Sequence, residues 1–175
     1  RGWLRHFDAN LTTSRLPGPS GWDDTPAIVP RSMVPQYTGP SSYLVLTKYN
    51  NYWQGGGDGL NRLGVFDPHV SMIDPISGAT VMNRVLDVLG PTPDPNFPAG
   101  VTEWCINTAA IDVVGKSAIV NSEDGKVYRW HFPTNTLSET VTLTAGIGEA
   151  YTPTILGSNG VAYAINNAIL FAVGQ

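Results

Sequence analysis

Between Asn107 and Leu137 the chain alternates apolar and polar positions in three short runs, Ala109–Val114, Ser117–Val120 and Lys126–Phe132. Gly115-Lys116 separates the first two, and Asn121-Ser-Glu-Asp-Gly125 separates the last two. A period of two bounded by Gly, Asn and Asp predicts consecutive antiparallel strands joined by turns. The opening of this stretch recurs. Asp24-Thr-Pro-Ala-Ile-Val29, Asn107-Thr-Ala-Ala-Ile-Asp112 and Tyr151-Thr-Pro-Thr-Ile-Leu156 share a Thr followed three positions later by Ile, each at the start of an apolar run. Three such copies mark an internal repeat, which outranks any local pattern in fixing the architecture.

Each copy predicts a first strand and is followed by a second, at Tyr43–Thr47, Ser117–Val120 and Val161–Ile165. Third strands are predicted at Arg62–Asp67, Lys126–Phe132 and Ala168–Val173, and fourth strands at Val81–Leu89 and Ser138–Thr144. The apolar positions of Val81–Leu89 also suit an amphipathic helix, and its place in the repeat favours a strand. Residues 1–16 read as a hairpin through Asp8-Ala-Asn10, the second half of a unit. Residues 22–90 form a unit swollen by loops at Pro30–Ser42, Asn51–Asn61 and Pro68–Thr80, residues 103–145 a regular unit, and residues 151–174 three strands of a last one.

Units of four antiparallel strands, with Thr108 and Thr152 44 residues apart, predict an all-β chain of propeller blades. About three and a quarter blades fall short of the four to eight of a closed ring. The expectation is therefore an incomplete propeller, the C-terminal part of a longer one, ending at a genuine C-terminus at Gln175. It begins at Arg1, with neither Met nor a signal peptide, as a processed or truncated chain would. Raw sheet edges would need a companion polypeptide or a second copy to supply the remaining blades.

The cluster Asp124-Gly-Lys-Val-Tyr-Arg-Trp130, followed by Thr134-Asn-Thr-Leu137, resembles the repeat of quinoprotein-like (PQQ-repeat) β-propellers, in which a D-G-x-V-Y strand precedes a T-G-x-L-like turn. The resemblance covers essentially the whole chain and implies a fold family, with no particular activity. Dehydrogenases of that family use paired vicinal cysteines and a calcium site. This chain has Cys105 alone, so the resemblance does not extend to the quinone cofactor.

Composition narrows the function classes. Charged residues make up 14% of the 175 positions, against about 25% in an average globular chain. The net charge of −4 offers no footprint for nucleic acid or an anionic membrane. No apolar run approaches the ~18 residues of a membrane helix. The expected location is secreted or periplasmic.

In a propeller, the loops entering the first strands and those between second and third strands share one face. Here Asp23, Asp24, Glu103, Asn107, Glu149 and Tyr151 lie in the former, and Asn50, Asn51, Glu123, Asp124, Asn166 and Asn167 in the latter. Oxygen ligands converging from successive blades suit a polar ligand such as a glycan, or Ca2+ held by Asp24, Glu103 and Glu149. The same residue types are equally ordinary turn formers on a solvated rim. Trp22, Trp53 and Trp104 lie near loops and offer sugar-stacking surfaces, or serve as core. His6, His69 and His131 are scattered over three units, which speaks against a shared metal.

Ser122–Trp130 departs from the sialidase Asp-box, because Gly125 follows Asp124 directly. No nucleophile elbow, H-E-x-x-H helix or phosphate loop occurs. The reading is a non-catalytic secreted binding or assembly module with a glycan or protein ligand. The alternative is part of a propeller enzyme, a hydrolase or quinoprotein-like oxidoreductase, with its site between this chain and the missing blades.

Overall fold

The computed structural model describes residues 4–18, 24–49, 60–75, 77–97, 99–104, 108–148, 150 and 152–174. Its strands are β1 (His6–Phe7), β2 (Ser14–Arg15), β3 (Ala27–Pro30), β4 (Tyr43–Tyr49), β5 (Arg62–Ile73), β6 (Thr80–Leu89), β7 (Ala110–Asp112), β8 (Ser117–Asn121), β9 (Lys126–His131), β10 (Thr136–Thr142), β11 (Ile155–Leu156), β12 (Ala162–Asn166) and β13 (Ile169–Val173). They form four antiparallel sheets in chain order, β1-β2, β3-β4-β5-β6, β7-β8-β9-β10 and β11-β12-β13. No helix among the described residues is long and apolar enough to cross a membrane.

Val81–Leu89 is a strand. Its hydrophobic positions satisfy both periods, and pairing along β5 from Arg62↔Leu89 to Ile73↔Thr80 decides between them. The loop expected over Pro68–Thr80 is corrected by the same pairing, because β5 continues to Ile73 and β6 begins at Thr80. Pro68 sits where the register jumps from Asp67 to Ser71, so its missing N–H removes no ladder bond.

The sheets meet face to face. On β3–β6, Ala27, Val29, Leu44, Leu46, Leu63 and Val65 share one face by register, and they pack on Ala118, Val120, Tyr128 and Trp130 of β8 and β9. The opposite face of β7–β10 presents Ala110, Ile119 and Val127, which pack on Ala162, Leu156 and Val173 of the last sheet. The loop at 30–42 is part of the first interface. Its 3₁₀ turn Arg31–Met33 buries Met33, Val34 after it is buried too, and Gln36 Nε2 donates to the Phe132 carbonyl at 2.8 Å. The first strands β3, β7 and β11 follow one another side by side.

Gly125, between β8 and β9, holds a φ of +77°. Its carbonyl accepts from the amides of Leu143 and Thr144 at 2.8 and 3.1 Å, which brings the segment leading to the next sheet against this turn. A Cβ here would meet the Thr144 carbonyl oxygen at 2.4 Å. Left-handed strain and that backbone clash act together, so Gly125→Ala should cost about 2–3 kcal/mol. Urea denaturation checks this, and an unchanged midpoint would refute it.

Candidate functional site

Of the polar residues singled out by sequence, Asp24, Glu103, Glu123, Asp124 and Asn166 lie at the seams between sheets. Asp24 Oδ2 accepts from the Thr47 hydroxyl and, at 3.2 Å, from the Lys48 amide. Lys48, near the end of β4, projects from the same face as Leu44 and Leu46 and donates through Nζ to Glu103 Oε1 at 2.8 Å. Both side chains are buried, at 3% and 10% exposure. The Glu103 carbonyl accepts from the Glu123 amide at 2.9 Å and the Ser122 hydroxyl at 3.2 Å, while the Glu103 amide donates to Glu123 Oε2 at 3.3 Å. The Glu123 carbonyl in turn accepts from the Gly148 amide at 2.7 Å. Asp24, Glu103 and Glu123 thus stand along one line of bonds crossing from the β3–β6 sheet to the segment before β11.

Asp124 collects the Tyr128 hydroxyl, the Thr92 hydroxyl and the Lys126 ammonium on one carboxylate oxygen. Burial raises the Tyr128 phenol above its ordinary value, and the hydrogen bond and negative charge of Asp124 add to it. Asn166 is fully buried. It accepts from the Thr144 hydroxyl and donates through Nδ2 to the Gly148 carbonyl at 3.3 Å. Asp23, Asn107, Glu149 and Tyr151 lie outside the described residues, as do Asn50, Asn51, Trp22, Trp53 and Cys105.

Lys48 is the member of this line that sequence reasoning missed. A lysine in a polar cluster is ordinarily a solvated turn residue. The signal available was its parity with Leu44 and Leu46, which turns it inward. Asn121 holds the corresponding place on β8 and donates to the Thr154 hydroxyl ahead of β11 at 3.0 Å. For Ca2+ the relevant fact is that a lysine ammonium already stands against Glu103. Among the described residues no group of three or more His, Cys, Asp or Glu is gathered closely enough to hold a metal ion.

Of the two roles open to Trp104, core and sugar-stacking surface, the structure shows the first. Trp104 is fully buried and meets Tyr128 edge-on, with ring centroids 5.6 Å apart. With both faces enclosed in the core, no sugar ring can reach it.

The histidines require a correction. His6 and His69 come together, with ring centroids 5.2 Å apart, because the extension of β5 places His69 beside the β1–β2 hairpin. His6 Nε2 and the Tyr43 hydroxyl are 2.7 Å apart. His69 Nδ1 lies 2.9 Å from Ser41 Oγ, which donates to Asp67 Oδ1 at 2.6 Å. Tyr37 bonds the other Asp67 oxygen. Burial opposes the charge on Asp67, and the bonds from Ser41, Tyr37 and the His69 amide outweigh it, so its carboxyl stays below the usual range. Asp67 bonds the serine directly, with no imidazole between them, so the group lacks the relay order of a hydrolase triad.

No protein-family model matches the chain, and no curated protein is similar to it in sequence.

Two measurements follow from this geometry. Glu103→Gln removes a carboxylate from a buried ammonium and should cost about 3 kcal/mol in chemical denaturation. Lys48→Met with Glu103→Leu should recover most of that loss, and a single variant as stable as the parent would overturn the buried-pair account. The His6 ring is held below its ordinary value by burial first, then by His69 and Arg15. A histidine depressed in the folded state binds fewer protons there than in the unfolded chain. Stability is therefore full above about pH 6.5 and declines as pH falls below it. Between about pH 7.5 and 5.5 the melting temperature should fall less for His6→Phe than for the parent. Identical pH dependence in both would dismiss the contribution.

Proposed function

We propose that the chain is an incomplete β-propeller that serves as a non-catalytic binding and assembly module, completed by sheets from a companion polypeptide. The observation that carries this reading is the outer face of the last sheet. By register, Ile155, Tyr163, Ile165, Leu170 and Ala172 share the face turned away from β7–β10. Ile155 is 60% exposed, Leu170 65% and Tyr163 37%. A contiguous apolar sheet face of this kind marks an interaction surface.

The repeat supports the same conclusion. Tyr163 and Ile165 follow Ile119 and Asn121 by 44 residues. Ile119 and Asn121 are buried beneath the following sheet, where Ile119 packs on Ala162 and Asn121 bonds Thr154. The corresponding face of β3–β6 is likewise buried, under β7–β10. A further sheet packed in the same way is the occupant that fits. Propeller geometry is supported by the identical first-to-fourth strand order of β3–β6 and β7–β10 and by the succession of β3, β7 and β11. On this reading Asp124–Trp130 is a quinoprotein-like repeat. The carboxylates of the predicted face then clasp each sheet to the next, and the module binds through its sheet faces.

The native mass of the protein from its source tests this. A complex heavier than the 18.8 kDa chain is expected, with a second polypeptide present. Leu170→Asp should weaken that association by at least about tenfold while leaving the far-UV spectrum unchanged. A mass of twice the chain would make the partner a second copy, and a stable monomer would defeat the reading.

A further inference from the structure

We propose that the groove between the loop at 30–42 and the β7–β8 turn binds an acidic, extended peptide segment of a partner protein. No residue of the last sheet lines this groove, so the site stands whether or not the outer face of that sheet is covered.

The groove has a volume of about 710 Å³. Pro30, Pro35, Pro40 and Val34 supply its apolar walls, Arg31 and Lys116 are its charged lining residues, and no carboxylate lines it. The chain as a whole carries a net charge of −4, so the groove is a local reversal of sign. Each of the other lysine and arginine side chains among the described residues has a serine or carboxylate acceptor, as in Lys48–Glu103 and Arg129–Asp112. Arg31 and Lys116 differ. The Arg31 guanidinium lies over the Tyr37 ring, 5.7 Å from its centroid, and neither it nor the Lys116 ammonium has a hydrogen-bond or ion-pair partner among the described residues. Asp112, at the end of the strand before Lys116, accepts instead from Arg129 Nη1 at 2.7 Å and the Gly115 amide at 2.8 Å. Two cations without a counter-ion in one concavity favour an anionic occupant.

Both walls are fixed before a ligand arrives. Phe132 ties them together, because its amide donates to the Lys116 carbonyl at 3.0 Å and its carbonyl accepts from Gln36 Nε2 at 2.8 Å. Within the loop, the Tyr37 amide donates to the Val34 carbonyl at 3.0 Å and the Arg31 amide to the Ser42 carbonyl at 3.2 Å. The Tyr37 hydroxyl donates to buried Asp67 and accepts from the Ser41 amide at 2.9 Å. Each proline restricts its own φ to about −65°. The ordering cost of binding therefore falls chiefly on the ligand.

The lining selects among anions. A sugar ring needs an open aromatic face to stack on, and Tyr37 is buried with Arg31 over it. A polyanion draws its affinity from many cations in array, and this groove offers Arg31 and Lys116 alone. Proline and valine surfaces beside those cations suit a chain that carries carboxylates next to proline or aliphatic side chains. The planar guanidinium of Arg31 can take a carboxylate through two parallel bonds. Val114, 95% exposed in the same turn as Lys116, adds apolar surface next to the cation.

A fluorescein-labelled heptapeptide, Asp-Glu-Val-Pro-Val-Glu-Asp, is the probe, and its amide counterpart, Asn-Gln-Val-Pro-Val-Gln-Asn, is the control. Saturable binding of the acidic peptide is expected by anisotropy at about 20 mM salt, weakening as salt rises to about 300 mM. Arg31→Gln and Lys116→Gln should each weaken it about tenfold. Arg5→Gln, which removes the same charge beside the β1–β2 hairpin, should leave it unchanged. Far-UV spectra of the three variants should coincide with the parent's, since all three side chains are exposed. Absence of saturable binding by the acidic peptide would overturn the proposal, as would equal binding of the amide peptide. An equal loss in Arg5→Gln would reduce the effect to net charge and overturn the site. Tighter, Arg31-dependent binding of a heparin hexasaccharide would overturn the peptide as its occupant.

Discussion

A sheet with apolar residues on both faces must be covered on both, and this constraint orders the molecule. Leu44 and Leu46 look forward from β4 to Ala118, Val120 and Trp130, while Ile119 looks forward from β8 to Ala162. Neither interface would persist as a sheet in water. Each large side chain fully withdrawn from it contributes about 1.5–3 kcal/mol, and the largest, Trp104, Trp130, Phe66 and Phe132, are fully buried. Stacking of this kind is directional. Each sheet covers its predecessor and presents a new face, and on the last described sheet that face carries the exposed Ile155 and Leu170.

The polar residues follow from the same stacking. Lys48 and Asn121 stand near the ends of successive second strands, on the forward faces, and each bonds the segment that leads into the next sheet. A buried ammonium is tolerated there because a carboxylate meets it at 2.8 Å. The Gly125 carbonyl holds the segment that leads towards β11 in the same manner, while Asp124 and Asn166 reach back to the segments that lead into their own sheets, at Thr92 and at the Gly148 carbonyl. These are clasps at the seams between sheets, built largely from turn residues.

The β1–β2 hairpin is held by different chemistry. It packs on β5 and β6 through His6, Arg15 and the Leu16 carbonyl, near a carboxylate that Ser41 and Tyr37 satisfy. His6, held below its ordinary value by burial, meets His69 edge-on at this seam, whereas large apolar side chains fill most of the interfaces on either side of β7–β10.

By itself the sequence determined the strands and their order. Period-two runs between Gly and Asx turns located β4, β8, β9, β12 and β13 within a residue or two, since alternation and turn chemistry are local properties. The repeat likewise resolved Val81–Leu89 in favour of a strand. What lay beyond local pattern was decided in three dimensions. Pro68 read as a loop because proline breaks ladders, yet a register jump lets β5 pass through it. His6 and His69 seemed unrelated because 63 positions separate them, and only strand pairing joins them. Lys48 reads as a surface residue by type and setting, and burial between sheets reverses that; Trp104 reads as rim or core, and packing decides for the core. The uncovered face and the groove beside the loop at 30–42 are likewise properties of packing. A sequence shows that residues are apolar, but only the tertiary structure shows which of them found a partner.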